Sequence, residues 1–380
     1  MVTAVAVMAS MLALPVAASG QDQSARAKLV YTRAIELEDQ GNAAAALTLL
    51  WEAAGLAPRD PDIQYRLGDA LERIGALDAA IDAYRRALAE RPSFPKAENN
   101  LILALVKAGK GAEGLERARA LVARAPNDPS MHFTLGLAQS DQDIDGAIAT
   151  FRRVLEISPD HALARYNLAL ALKRADRFGD AAAELRRSIA IEPRAESHYL
   201  LGVLLWQQGD LDGSVAALRA AIAAKPRYAE GFETLGAVLK ARRDWGGAVT
   251  ALRQAIALNP TAAAAHYTLA QVLQQSGDAA GGRSELAEAE RLRQRAAQEH
   301  EALVWTSVGI QKSAANDFTG ALEAFRRATS AFDAYAPAHY QRGLVLQRLG
   351  DHDAARAAFA KAQRLNPSLV SPYETPGKSN

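Results

Sequence analysis

The amino-acid sequence predicts an all-α solenoid built from about ten tandem pairs of helices. Three observations predict it: prolines recur in phase, small residues recur at two fixed positions of each period, and apolar residues between them follow a helical spacing. Most successive periods are 34 residues long, as between Pro58, Pro92 and Pro126. A chain of 380 residues would ordinarily form two or three domains, but a solenoid grows by stacking units instead.

Each predicted repeat contains a helix A followed by a helix B. The register that aligns the small residues places the ten repeats at residues 27–60, 61–94, 95–128, 129–161, 162–194, 195–228, 229–262, 263–296, 302–335 and 336–369. Position eight of the repeat is Gly or Ala in every repeat except the third, which has Ile102. Position twenty is always Ala, Gly or Ser, so helix A and helix B can approach closely. Glycines such as Gly75 and Gly109 stand where helix A must end in a left-handed residue.

This period, with its paired small residues and late prolines, resembles the tetratricopeptide repeat family over residues 27 to about 369. The resemblance implies a right-handed α-solenoid superhelix of helix-turn-helix repeats. It also implies that the A helices line a concave groove, and that the chain works by binding other proteins.

Two places depart from the regular repeat. Repeat 4 is one residue short in the turn between its helices, around Ser140 and Asp143. Repeats 8 and 9 lack the late proline, and residues 283–301 contain no helix breaker. We expect a lengthened helix B with an inserted turn at 297–301. That segment is either a hinge between repeats 1–8 and repeats 9–10 or a longer linking helix with a solvated charged face.

The termini are expected to lie outside the repeats. Residues 1–20 are uncharged and mostly apolar and end in small residues, which is typical of a secretory signal peptide, although the usual basic start is missing. Residues 21–26 would be a short leader, and residues 370–380 a disordered tail. The expected location is periplasmic or secreted, with no membrane span after signal removal. A start codon placed too far downstream would explain the missing basic region; the alternatives are a membrane anchor at residues 1–19 or a cytoplasmic location.

Composition argues against several kinds of chemistry. The chain has no Cys and a formal net charge of +1, so disulfides, thiolate metal sites and a basic nucleic-acid surface are not expected. No phosphate loop or hydrolase motif is present, and repeat packing accounts for nearly every residue. Four histidines at position four, His132, His198, His266 and His339, are interpreted as packing residues. We therefore expect no enzyme activity, no metal and no cofactor.

The expected binding surface is a groove lined by Tyr and polar residues at positions five and six of helix A. The candidate groove residues are Tyr31, Tyr65, Asn99, Asn100, Phe133, Tyr166, Asn167, Tyr199, Thr234, Tyr267 and Tyr340. Tyrosine combines an apolar face with a hydroxyl, which suits contact with peptide side chains and backbone. The tyrosines could equally serve only to pack neighbouring A helices. Lys96, Asn99 and Asn100 resemble part of the family's carboxylate clamp, but later repeats supply no matching set, so a clamp is not expected.

The leading functional hypothesis is a non-enzymatic scaffold or adaptor that binds a peptide or protein segment in the groove. The alternative is a structural or assembly subunit of a cell-envelope complex that uses the convex face or the ends of the array. A third hypothesis, an accessory to a glycan or lipid enzyme, has no specific support in the sequence. Partner identity and oligomeric state are left open.

Overall fold

A computed structural model of the chain describes residues 20–369 and 371–373. The described part folds into 19 α-helices and contains no strand. The predicted all-α helical repeat solenoid is therefore confirmed. The predicted signal peptide, apart from Gly20, and most of the predicted tail lie outside the described residues.

The chain divides into two compact units, residues 1–226 and 227–380. The first unit holds repeats 1 to 6 as six A/B helix pairs. Its helices are α1 (Gly20–Asp39), α2 (Ala43–Leu56), α3 (Pro61–Arg73), α4 (Leu77–Glu90), α5 (Pro95–Lys107), α6 (Gly111–Arg124), α7 (Pro129–Gln139), α8 (Ile144–Ile157), α9 (Ala162–Arg174), α10 (Phe178–Ile191), α11 (Ala195–Gln207) and α12 (Leu211–Ala224). Residues 21–26, expected as a leader, belong to α1, whose first turn carries Asp22 at the positive end of the helix dipole.

The second unit holds repeats 7 to 10. Its helices are α13 (Ala229–Ala241), α14 (Trp245–Leu258), α15 (Ala263–Gln275), α16 (Ala279–Ala314), α17 (Phe318–Ala331), α18 (Ala336–Arg348) and α19 (His352–Leu365). Helix α16 is 36 residues long and combines helix B of repeat 8 with helix A of repeat 9. It runs unbroken through 297–301, where the sequence predicts an inserted turn of a lengthened helix.

The core of each repeat is a large side chain at position twenty-four seated against the small residue at position eight. A Cβ added to Gly68 would lie 2.6 Å from the Tyr84 ring, and one added to Gly136 would lie 2.6 Å from the Phe151 ring. Both rings are fully buried. The glycines therefore follow from close helix approach, as the sequence predicts.

Repeat 3 reverses this arrangement. Ile102 occupies position eight, and the facing position twenty-four is Ala118; both are fully buried in one cluster with Leu121 and Ala138. The large residue has moved from helix B to helix A, so the volume of the pair is conserved. The exception in the repeat pattern is thus a compensated exchange.

Helix A ends in the left-handed region in most repeats. Gly75, Gly109, Gly209, Gly277 and Gly350 have φ between 75° and 98°, and Gly41 joins them. Asp176, Arg243 and Asn316 adopt the same conformation at the equivalent position without being glycine. The glycine signal therefore identifies most of these turns, and the remainder follow from the repeat register.

Three residues of the expected disordered tail are ordered. The Tyr373 ring packs edge-on against Phe359 at a centroid distance of 5.9 Å, and its hydroxyl lies 2.8 Å from Nδ1 of His352. Ser371 is buried. Tyr373 thus packs against the apolar cluster of repeat 10 that contains Leu346 and Phe359.

Candidate interaction surface

Five of the predicted groove residues come together on the A helices of repeats 1 to 4. They line two adjoining depressions of about 280 and 350 Å³. Tyr31 lies in the first, Asn99, Asn100 and Phe133 lie in the second, and Tyr65 borders both. This continuous surface on α1, α3, α5 and α7 is called the α3–α7 surface below.

Tyr65 is held in place by an aromatic group that the sequence pattern does not single out. Its ring centroid lies 5.0 Å from that of Phe94 and 6.1 Å from that of Tyr84. Phe94 belongs to the junction between repeats, outside the groove positions, and Arg91 stacks over its ring at 4.7 Å. Burial raises the pKa of the hydroxyls of Tyr31 and Tyr65 above the ordinary tyrosine value.

The asparagines of α5 are only partly occupied by the fold. Asn99 Oδ1 accepts a hydrogen bond from the Thr134 hydroxyl of α7. Asn100 Nδ2 donates to the Tyr84 hydroxyl at 3.4 Å, and that hydroxyl donates to Glu72 at 3.0 Å. Each amide side chain can form up to four hydrogen bonds, so both retain capacity for a ligand backbone.

Ion pairs between successive A helices neutralise much of the charge beside this surface. Arg73 pairs with Glu38 of the preceding repeat, and Lys107 pairs with Glu72 at 2.6 Å. Lys96 differs, because it is exposed at the border of both depressions and no carboxylate of the described residues lies within ion-pair distance of it. The surface therefore combines aromatic and amide groups with the Lys96 cation, and the Asp128 carboxylate, which accepts a hydrogen bond from the Ser130 amide, lines the second depression with it.

The other predicted residues of the first unit lie on α9 and α11. Tyr166 and Tyr199 are half-buried, and burial raises the pKa of Tyr166. Asn167 donates to the Leu163 carbonyl of its own helix at 2.8 Å. Leu163 and Trp206, on the same two helices, are exposed apolar residues that the sequence analysis did not select.

The three candidates in the second unit lie on different helices, Thr234 on α13, Tyr267 on α15 and Tyr340 on α18, and none of them lines the two depressions described above. Tyr340 packs against Phe359 at 5.3 Å, which is the role of a core neighbour. Tyr267 is partly exposed beneath the Arg293 guanidinium, which lies 4.8 Å from its ring centroid. Thr234 is half-buried on α13.

The position-four histidines make a recurring structural contact. His132, His266 and His339 each place Nε2 within 2.8 to 3.3 Å of the carbonyl six residues earlier, at the junction with the preceding repeat. Gln64 and Arg165 make the same contact from the same position. The contact is therefore a structural one that His shares with Gln and Arg at this position.

The described residues also bear on metal binding and membrane insertion. No group of three or more His, Asp or Glu side chains there could hold a metal ion. None of the helices described is both long and apolar enough to cross a membrane.

Sequence profiles of known families match most of the repeats. A profile described as tetratricopeptide repeat matches residues 31–95, 99–162, 138–196 and 166–229, which together exceed half of the chain. Related profiles match residues 239–277 and 336–369. The segment between the last two, which contains α16, is matched by none of these profiles.

Solved structures show similar folds. A tetratricopeptide repeat protein from Parabacteroides merdae superposes with a TM-score of 0.51 at 18% identity, covering 66% of this chain and 99% of that one. The thermophilic TPR protein TTC0263 from Thermus thermophilus gives a TM-score of 0.42 at 25% identity, with 47% and 98% coverage. YrrB, described as a TPR protein with an unusual peptide-binding site, gives 0.43 at 15% identity, with 46% and 91% coverage.

Proposed function

Because the chain belongs to the tetratricopeptide repeat family, we propose that it is a non-enzymatic scaffold that binds an extended segment of another protein on the α3–α7 surface. The observation that carries this proposal is the convergence of Tyr65, Asn99, Asn100 and Phe133 on adjoining depressions. Aromatic faces accept apolar side chains, and amides pair with peptide backbone, so the surface matches both parts of an extended chain.

Lys96 adds a charge preference to this surface. Lys96 lies at the border of both depressions, and no carboxylate of the described residues is near enough to pair with it. Asp62 is already occupied, because it accepts two hydrogen bonds from Arg91 at 2.9 and 2.7 Å. An acidic side chain of the bound segment would supply the missing partner. Exposed apolar residues on α9 and α11 extend the surface for an apolar part of the same segment.

The test is quantitative affinity purification of the tagged chain from its own cells, followed by mass spectrometry. Lys96→Glu should reduce recovery of the principal partner at least about tenfold, because a single charge reversal at an interface costs several kcal/mol. Arg119→Glu is the matched control, since Arg119 is equally exposed but lies on α6, a helix B. Circular dichroism should show the same helicity in both variants.

The Tyr166→Ala and Tyr199→Ala variants probe the second half of the unit. Loss of partner in these as well as in Lys96→Glu would extend the binding surface to α9 and α11. If the α3–α7 variant is silent and Arg119→Glu loses the partner, binding uses helix B surfaces. That result would favour the assembly-subunit alternative and overturn the proposed site.

We also propose that the protein is exported, with residues 1–20 removed as a signal peptide. The support is the uncharged apolar run ending in small residues before Gln21. N-terminal sequencing of the protein recovered from the cell envelope or medium should begin near Gln21. Recovery of intact Met1 from a membrane fraction would support the anchor alternative, and recovery from the cytosol would overturn export.

A further inference from the structure

The continuous helix α16 leaves repeat 9 without a preceding helix B beside it. Elsewhere within each unit, helix A of a repeat packs against helix B of the repeat before it. In α16 these two segments lie on one axis, so they cannot pack side by side. A helix-sized position in front of repeat 9 is therefore left open by the chain itself.

The residues at this position confirm that the interface is open. Position ten of helix A is apolar and buried in the repeats that follow another repeat of the same unit: Ala70, Ala104, Ala138, Ala171, Leu204, Val272 and Val345. In repeat 9 it is the exposed Gln311, and in repeat 1 it is the exposed Glu36. Position three shows the same difference: it is Val304 in repeat 9, which is 46% exposed, and Leu29 in repeat 1, which is 73% exposed. Repeat 9 thus has the surface of a first repeat.

Repeat 8 correspondingly has the surface of a last repeat. Positions twenty-one and twenty-eight lie on the side of helix B that faces the next repeat. They are apolar in repeats 1 to 7, for example Ile81 and Leu88 in repeat 2. In repeat 8 they are Arg283 and Glu290, both exposed. Folding α16 back on itself would press this charged pair against repeat 9 and remove it from water, which is unfavourable. The chain's own repeat 8 therefore does not fill the open position.

The open face of repeat 9 is nevertheless suited to a helix. Its exposed residues are His300, Leu303, Val304, Ser307, Ile310 and Gln311, called the repeat-9 stripe here. None is Asp, Glu, Lys or Arg, and their i, i+3, i+4, i+7 spacing lines one helix face over about 18 Å. Val304 and Ile310 are 46% and 39% exposed, whereas the residues at the same positions of repeats 2 to 8 and 10 are buried or half-buried. The preceding part of α16 exposes mainly charged residues, so this stripe is distinct.

We infer that the repeat-9 stripe binds an amphipathic helix of another protein, seated where helix B of a preceding repeat lies in the other repeats. The proposed interface has the same form as the contact between helix B of one repeat and helix A of the next, which recurs along this chain. The incoming helix therefore needs apolar residues seven positions apart. A second copy of the chain, packed end to end with the first, does not supply such a helix. Its free helix-B ends, in repeats 8 and 10, carry Arg283 with Glu290 and Arg356 with Gln363, and Tyr373 packs on the latter end. The stripe lies in the second unit and is independent of the α3–α7 surface.

A constrained peptide with helix-B chemistry tests this inference. The probe is a hydrocarbon-stapled, fluorescein-labelled peptide of the α14 sequence, Trp245–Leu258, which presents Val249 and Ile256 seven residues apart. Stapling is needed because free helices of this length are marginal in water. Fluorescence anisotropy with the full chain should show saturable binding. The double variant Val304→Glu with Ile310→Glu should weaken binding at least tenfold, since positions three and nine are not exposed in repeats 2 to 8 or 10.

Two controls separate a specific site from general stickiness or misfolding. Leu349→Glu replaces an even more exposed leucine of the same unit, 51% exposed and outside the stripe, and should bind the probe as the wild type does. A probe with Glu in place of both Val249 and Ile256 should not bind. Thermal melts of the variants should agree, because both replaced stripe residues are exposed.

Three outcomes would overturn the inference. These are unchanged affinity of the stripe variant, no saturable binding of the probe up to about 1 mM, and a wild-type dimer in light scattering that the stripe variant dissociates. The last would assign the stripe to a second copy of the chain. A probe that binds and depends on Val304 and Ile310 in a monomeric protein supports it.

Discussion

At the scale of single residues, the contact between positions eight and twenty-four decides which side chains the repeat accepts. Every aromatic residue at position twenty-four faces glycine, as in Tyr84 with Gly68 and Phe359 with Gly343. Alanine at position eight faces only leucine, as in Ala169 with Leu185. The exchange of Ile102 and Ala118 in repeat 3 obeys the same conservation of volume.

Gly136→Ala should therefore destabilise the protein by about 1–3 kcal/mol, because the new Cβ would overlap a fully buried ring that has no room to move. Gly179→Ala is the matched control, since nothing lies within 4 Å of its added Cβ. That substitution should be neutral or stabilising by up to about 1 kcal/mol, as alanine is the better helix former. Urea unfolding followed by circular dichroism measures both. Equal midpoints for the two variants would contradict the packing account.

At the scale of helices, an aspartate begins most B helices and the residue three positions later is usually glycine. Asp244 Oδ1 accepts a hydrogen bond from the Gly247 amide at 3.0 Å, and Asp278 does the same for Gly281 at 2.8 Å. A Cβ on Gly247 would lie 2.7 Å from the Asp244 carboxylate. These glycines therefore serve helix capping, which accounts for their repeated position at the start of helix B.

Asp244→Ala should cost about 1 kcal/mol of unfolding free energy, because the amides at the start of α14 lose their acceptor. Arg177→Ala at the equivalent position of α10 is the control, since Arg177 makes no capping hydrogen bond and only pairs with Asp180 on the surface. Its cost should stay below about 0.5 kcal/mol. Hydrogen exchange of the first turns of α14 and α10 locates the effect. Unaltered protection in α14 of Asp244→Ala would count against the capping role.

The packing of helices also explains why the long helix α16 could be predicted only in part. Missing prolines indicate that the junctions after repeats 8 and 9 are unusual, but α17 still ends at Ala331 and a turn follows, whereas α16 continues. The difference lies in which side chains must be buried next. Arg283 and Glu290 remain in water only if the chain does not fold back, so the tertiary cost favours a continuous helix.

At the scale of the whole molecule, a repeat array depends on what its ends expose. In the second unit, Tyr373 packs on Phe359 of repeat 10. The repeat-9 stripe is a second surface of that unit, and it resembles the surface at the start of an array. The residues at positions three, ten, twenty-one and twenty-eight of each repeat identify such surfaces from the amino-acid sequence. The compact units divide elsewhere, after Pro226.

The sequence alone determined the helical class, the register of ten repeats, the close approach at position eight and most left-handed turns. Each of these depends on local backbone preference or on a contact that recurs at fixed spacing. Only the tertiary structure decided which candidate residues share one surface, because that depends on neighbours from several helices. It joined Tyr65 to Phe94 and to the asparagines of α5, assigned Tyr340 to packing on Phe359, and left Val304 and Ile310 open on α16. Periodicity specifies a side chain's position within its repeat, whereas exposure also depends on whether an adjacent helix covers it.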